Sequence, residues 1–319
     1  MKCQSLEMLV RGRSAQCDEE VKRGLLAGES VTIRQESDIV ATLENSQSLE
    51  GLVFMPEMRK FCGGTFKVLR PVNKLIVEGR NGLRELRSAV ILEGVTCDGE
   101  AHRGCQYGCM LLWKEDWLTL EARSESRPGY TSTDSSNREN GSASSGGGLV
   151  CQTSRLIEAT RPLHFYDWRQ YAWDIQTGRF HFGVLLRTRL VLAYNALRVR
   201  LGLRKYYLFH GEARSTPTET LNLRPGELVE VKSRRDIAAM LDARGRTRGL
   251  SFTQEMLRCC GRRYHVLRRL DRMVVEATGS MREFSDTVLL DTANCDGEAH
   301  FNCQRGCNFL FKEIWLKRV

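Results

Sequence analysis

The chain has 319 residues, 12 cysteines, 41% hydrophobic residues and a formal net charge of +9. That length suits about two domains, and the hydrophobic content is ordinary for a soluble protein. Seven basic residues and no acid lie between Ile175 and Gly211 (Arg179, Arg187, Arg189, Arg198, Arg200, Arg204, Lys205), so the basicity is local and not a nucleic-acid signature of the whole chain.

Residues 1–24 read as a lead-in, partly helical around Leu6, Met8, Leu9 and Val10, with no counterpart later in the chain. Glu7 follows the start at once, and no apolar run precedes Arg11 and Arg13. No export signal is therefore expected, and a cytoplasmic, reducing location favours metal-bound thiols over disulfides.

Residues 25–121 form a first unit. Ser30 to Arg34 alternates as a strand, and Ser37 to Glu44 turns to helical spacing with Ser37 as N-cap. Thr65–Arg70, Lys74–Glu78 and Ala89–Glu93 read as strands, with a hairpin signal at Arg80-Asn81-Gly82. A cysteine loop follows from Cys97 to Cys109, and Leu111 to Leu118 closes the unit. About five short strands and one short helix predict a small, bent antiparallel barrel of the SH3-like kind, with the cysteine loop between its last strands.

Residues 122–150 are a Ser/Gly-rich linker that cannot bury enough surface to order itself. Residues 151–222 are a basic, aromatic-rich helical connector. Asp167 to Asp174 reads as a turn or helix, and Phe182 to Leu203 as a helix with Phe182, Leu186, Leu190, Ala193, Leu197 and Leu201 on one face. Arg187, Arg189, Arg198 and Arg200 exclude a transmembrane span. A helix apolar on most sides is expected to be buried between domains, or to lie on an anionic membrane.

Residues 223–319 repeat the first unit. At an offset of 198, the 91 positions from Gly28/Gly226 to Leu118/Leu316 align without a gap, and 38 are identical. The chain is an internal duplication. The expected fold is mainly β with an α connector: two tandem SH3-like barrel units joined by a disordered linker and a helical segment.

Two drifted halves still share four cysteines and a histidine. The candidate metal ligands are Cys62, Cys97, His102, Cys105 and Cys109, and Cys260, Cys295, His300, Cys303 and Cys307. They suit an all-thiolate zinc site, a three-thiolate site completed by histidine, or a 4Fe–4S cluster on the four cysteines, one centre per repeat. The plain alternative is a set of small buried apolar residues. Asp98/Asp296 and Glu100/Glu298 read as turn residues beside Gly99/Gly297 or as groups orienting the histidine. Trp117 and Trp315 read as core, and Lys114-Glu115 and Lys312-Glu313 as the wet face of the closing element.

The run Cys97 to His102 resembles the Cys-Asp-Gly-x-His segment of CDGSH-type iron–sulfur proteins. It has one inserted residue before the histidine and lacks the upstream Cys-x-Cys pair, so the 2Fe–2S cluster of that family is not carried over. The whole layout is similar to an uncharacterised family of bacterial proteins with a Cys-Asp-Gly-x-x-His-x-x-Cys-x-x-x-Cys loop followed by Trp-Lys-Glu-x-Trp-Leu. The first copy carries this from Cys97 to Cys109 and from Trp113 to Leu118; the second has Phe311 for the first tryptophan. The resemblance extends to Thr216-Pro217 and Pro225-Gly226-Glu227. It implies the duplicated architecture and no particular activity.

No phosphate loop, dinucleotide fingerprint or nucleophile elbow is present. Three functions remain, in order. The first is a metal-binding scaffold or redox partner of another protein. The second is an enzyme with an open coordination position, using the histidines and nearby carboxylates as acid–base groups. The third is nucleic-acid binding by paired barrels, with the basic connector on the phosphates.

Overall fold

A computed structural model describes residues 24–44, 47–80, 82–121, 151–164, 166–176, 182–203, 209–213 and 219–319. The expected lead-in, apart from Gly24, and the Ser/Gly-rich linker lie outside the described residues, as does Asn81 of the hairpin signal.

Each repeat folds into a five-stranded antiparallel sheet that curls into a half-barrel. In the first unit the strands are β1 (Ser30–Ile33), β2 (Thr65–Pro71), β3 (Ala89–Thr96), β4 (Met110–Lys114) and β5 (Leu118–Leu120). Their spatial order is β4-β3-β2-β1-β5. The second unit uses β6 (Leu228–Val231), β7 (Arg263–Arg269), β8 (Thr287–Asn294), β9 (Asn308–Lys312) and β10 (Leu316–Arg318), in the order β9-β8-β7-β6-β10. The registers match at the same offset: Val31 faces Leu120, and Val229 faces Arg318. Two tandem β-barrel units are thus present, as the repeat requires.

Alternating positions of these strands, with the tryptophan of the 3₁₀ turn before each last strand, supply the two cores. Val31, Ile33, Val68, Val90, Trp113 and Trp117 are buried in the first, and Val229, Val231, Val266, Val288, Phe311 and Trp315 in the second. Trp113 and Trp117 meet edge to face at 6.4 Å.

Several local expectations are corrected. Helix α1 (Glu36–Val40) follows Gln35, which makes no side-chain cap, so Ser37 is not the N-cap. Its counterpart in the second unit, Arg234–Met240, is capped by Ser233, which accepts from the Asp236 N–H at 3.3 Å. The strand expected over Lys74–Glu78 stops at Leu75 and pairs with Arg84–Leu86. Its further backbone is taken by the other unit, as described below.

The closing charges are not a wet face. Lys114 is 1% exposed and donates to the Arg87 carbonyl (2.8 Å) and to Glu50 (2.5 Å). Glu313 is 0% exposed and accepts the N–H groups of Leu221, Asn222 and Leu223, besides the Arg269 guanidinium at 2.6 Å. Backbone donors that enter each barrel need an acceptor, and a buried carboxylate supplies several sites.

The connector is partly built into the first unit. Gln152 is buried there, and Thr160–Pro162 adds a strand beside Arg84–Leu86. Helices α2 (Arg169–Gln176) and α3 (Phe182–Arg200) follow. The apolar face expected to be buried between domains is open: Leu186, Leu190, Leu197 and Leu201 are each at least half exposed. No helix among the described residues is long and apolar enough to cross a membrane.

The units meet across an approximate two-fold relation made by the cysteine loops. Gln106 Oε1 accepts the N–H groups of Asp271 (2.5 Å) and Arg272 (3.1 Å), and the Gln106 N–H donates to the Arg272 carbonyl at 3.0 Å. Gln304 does the same with Asn73 (2.7 Å), Lys74 (3.3 Å) and the Lys74 carbonyl (3.1 Å). Each loop therefore caps a strand of the opposite barrel. A tie without a counterpart is made by Asp174 of α2, which is 0% exposed, pairs with Lys74 at 2.6 Å and accepts from Asn302 Nδ2 at 3.1 Å.

Candidate metal centre

Cys97 follows β3, and its N–H donates to the Cys109 carbonyl at 2.9 Å, which closes the loop at its base. Gly99 then reverses the chain at φ 80°; a Cβ there would lie 1.9 Å from the Cys105 carbonyl oxygen. Gly297 is the same at φ 83° and 2.0 Å from Cys303. Only glycine fits both demands. The reversal feeds a short 3₁₀ turn, Glu100–His102, that carries the histidine inward. It packs on a second 3₁₀ turn, Pro56–Phe61, which carries Glu57.

Glu57, Cys97 and His102 converge, as do Glu255, Cys295 and His300; in each group one donor atom per residue lies within 4.8 Å of the other two. In the first unit His102 Nδ1 is 2.5 Å from Glu57 Oε1 and 3.8 Å from Cys97 Sγ. In the second, His300 Nδ1 is 3.2 Å from Glu255 Oε1 and 3.8 Å from Cys295 Sγ, and that thiol lies 2.8 Å from Glu255 Oε2. The same ring nitrogen faces both thiol and carboxylate. A nucleophile–base–acid relay needs the two nitrogens to serve different partners. Three donors around one point is a chelating arrangement.

Burial pushes the Cys97 thiol up, against the His102 hydrogen bond that lowers it. Burial also pushes Cys295 up, and the Glu255 charge adds to it. The His300 imidazolium is favoured by its hydrogen bond to Glu255. A bound cation would reverse the first two effects by stabilising the thiolate.

The other sequence candidates lie outside these three-donor groups, with Cys109 near Cys97 and Cys105 and with Cys307 near Cys295 and Cys303. Cys62 and Cys260 end the 3₁₀ turns, beside Arg59 and Glu36 and beside Arg234 and Cys259, and burial pushes both thiols up. Cys105 and Cys303 are interface residues: their sulfurs accept the N–H groups of Val274 and Ile76 of the opposite unit, each at 3.4 Å. Cys109 and Cys307 line the junction, and burial raises both. Among the described residues only Cys97 and Cys295, with their histidines, enter a three-donor group. All ten described cysteines are free thiols.

Asp98 accepts the Glu100 N–H at 3.1 Å and pairs with Lys60, while Asp296 accepts from Glu298 at 3.1 Å and pairs with Arg258. They shape the turn and tie it to the neighbouring 3₁₀ segment. Glu57 and Glu255 were not among the sequence candidates. Their signal was identity at the 198-residue offset, in a stretch where most neighbours differ.

The two groups differ in access. His102 is 1% exposed, whereas the His300 side chain is 45% exposed. Cys295 and His300 open on a cavity of about 320 Å³ at the junction of the units, walled also by Cys307, Thr253, Phe309 and Cys109.

Comparison with known protein families, with curated proteins and with solved structures found no match.

Proposed function

We propose that the chain is a two-site zinc protein, in which Glu57, Cys97 and His102 hold one ion and Glu255, Cys295 and His300 a second. The observation that carries this is the recurrence of one thiol, one imidazole nitrogen and one carboxylate around a single point in both units. Thiolate, imidazole and carboxylate together suit zinc. A cubane cluster asks for four thiolates, and the remaining cysteines are spread over the turns and the interface, which favours zinc over iron–sulfur.

The biological role in this reading is that of a scaffold or accessory to another protein in the reducing cytoplasm. The exposed apolar side of α3 supports a partner, either a protein or an anionic membrane surface. Membership of the bacterial cysteine-loop family belongs to the same proposal. The cavity beside His300 favours one second reading, an enzyme with an open coordination position on the second ion.

Metal and acid-labile sulfide analysis of the full chain tests this. Two zinc ions and no sulfide are expected, with one ion lost in Cys97→Ser and the other in Cys295→Ser. Iron with sulfide, or folded protein with no metal, would overturn it.

A further inference from the structure

The junction cavity of about 320 Å³ stands at the small end of ligand-binding sites, which run from about 300 to 1,000 Å³. Both repeats wall it. Ile76 of the first unit and Met273, Val274 and Phe309 of the second make most of the lining apolar. Two polar groups give it a chemistry.

The first is Arg305. Its side chain is 12% exposed and lies on the cavity wall. Nη1 goes to Glu276, and among the described residues the guanidinium has no other hydrogen-bond partner. A guanidinium carries five N–H donors in a planar fork, so most of them are left for an acceptor in the cavity. Glu276 is itself occupied: Oε2 holds Arg305, and Oε1 accepts the Glu78 N–H at 3.0 Å. Cys109 and Cys307 share this wall, and burial pushes both thiols up, so they bring no negative charge. The second group is His300. Nδ1 faces Glu255 and Cys295, which leaves Nε2, on the opposite edge of the ring, for the cavity.

The first unit has the equivalent place filled. Offset by 198, Tyr107 stands for Arg305, and its hydroxyl donates to the Asn308 carbonyl at 3.0 Å. Met55 and Leu111, both buried, stand for Thr253 and Phe309. The Gln152 N–H lies on Met55 Sδ at 3.1 Å, and His102 is sealed beneath. Of the two repeats, only the second joins an arginine and an open histidine to a space that could hold a molecule.

We propose that the junction cavity binds a small monocarboxylic acid with an apolar body. The carboxylate takes the free edge of Arg305 and the Nε2 side of His300, and the body lies among Ile76, Met273, Val274 and Phe309. A carboxylate matches a guanidinium edge with two parallel hydrogen bonds, and enclosing the body removes apolar surface from water. This goes beyond the zinc reading. The acid meets His300 at the nitrogen that faces away from the donor group, so its binding does not require the ion.

Isothermal titration calorimetry of the full chain with phenylacetate and with hexanoate tests this. At least one acid is expected to bind once per chain, and phenylacetamide, which has the shape without the charge, to bind about tenfold more weakly than phenylacetate. Arg305→Met is expected to remove that preference, so that acid and amide bind alike. Because Arg305→Met also strips Glu276 of its partner, Thr253→Met is the second variant. It installs the residue that the first unit carries at Met55, keeps the pair of Arg305 with Glu276, and is expected to fill the cavity and abolish binding. Neither acid binding at millimolar concentration, acid and amide binding equally to the unaltered chain, or binding untouched by Thr253→Met would overturn the proposal. Titration after zinc chelation separates it from the metal reading. Acid bound by the folded, metal-free chain supports the cavity even if the chain holds no zinc; acid bound only by the zinc-loaded chain lies on the ion and not on Arg305, which overturns it.

Discussion

Gln106 and Gln304 are the two halves of one clamp. Each turns its side-chain carbonyl to two successive backbone N–H groups of the opposite barrel and its own N–H to a carbonyl there. The glutamine that each cysteine loop carries after its second cysteine therefore joins the units, and the sulfur beside it takes one more N–H across the same junction.

Gln304→Ala removes the better buried half. Gln304 is 0% exposed, and its loss leaves the Asn73 and Lys74 N–H groups without their acceptor. A cost of about 2–4 kcal/mol is expected. Gln106→Ala, whose target amides are exposed, should cost less. Urea unfolding followed by calorimetry checks both, and the unaltered chain should unfold in one transition that splits in Gln304→Ala.

Asp174→Asn is expected to be more damaging than the paired change Lys74→Met with Asp174→Leu. The Lys74 ammonium is 1% exposed, burial lowers its pKa, and Asp174 opposes that shift. Leaving one member of such a pair alone costs about 3–5 kcal/mol, whereas replacing both is often close to neutral. A double-mutant cycle in urea reads the difference.

Glu313→Gln should loosen the second barrel where the chain enters it. The carboxylate accepts three backbone N–H groups and the Arg269 guanidinium, and a neutral amide can accept at only one oxygen. About 2–4 kcal/mol is expected, from charge-assisted bonds lost in a buried place. Equilibrium unfolding followed by Trp315 fluorescence measures it.

In metal-free protein, His300 should titrate above the ordinary imidazole value of about 6.5, because its hydrogen bond to Glu255 outweighs burial. A raised folded pKa contributes stability that is fully present below the unfolded value and is lost as pH rises through the folded one. Stability of the apo protein should therefore fall as pH rises through that window, and Glu255→Gln should remove the fall. An NMR titration of the His300 ring together with unfolding at several pH values tests this.

The duplication, the barrel strands and the buried Trp117 and Trp315 were legible in the sequence, because period-two patterning and a constant offset survive drift. The donor group was legible in part. Cys97 and His102 lie in one loop, but Glu57 comes from a turn 40 residues earlier, and spacing carries no sign of that approach. Cys105 and Cys303 recur for a reason that a ligand reading does not contain, the contact between units. Lys114 and Glu313 misled because charges at a strand end ordinarily face water, and here each meets backbone groups of a distant segment. The α3 helix misled in the opposite sense: apolar on most sides, it still leaves Leu190 at 62% exposure.

The central claim, a mixed thiolate, imidazole and carboxylate site in each unit, is tested most directly by X-ray absorption at the metal edge of the purified full chain. The account predicts zinc with one sulfur at about 2.3 Å and nitrogen or oxygen neighbours at about 2.0–2.1 Å, in both sites. A shell of four sulfurs around zinc, or iron with short iron–iron vectors, would contradict it.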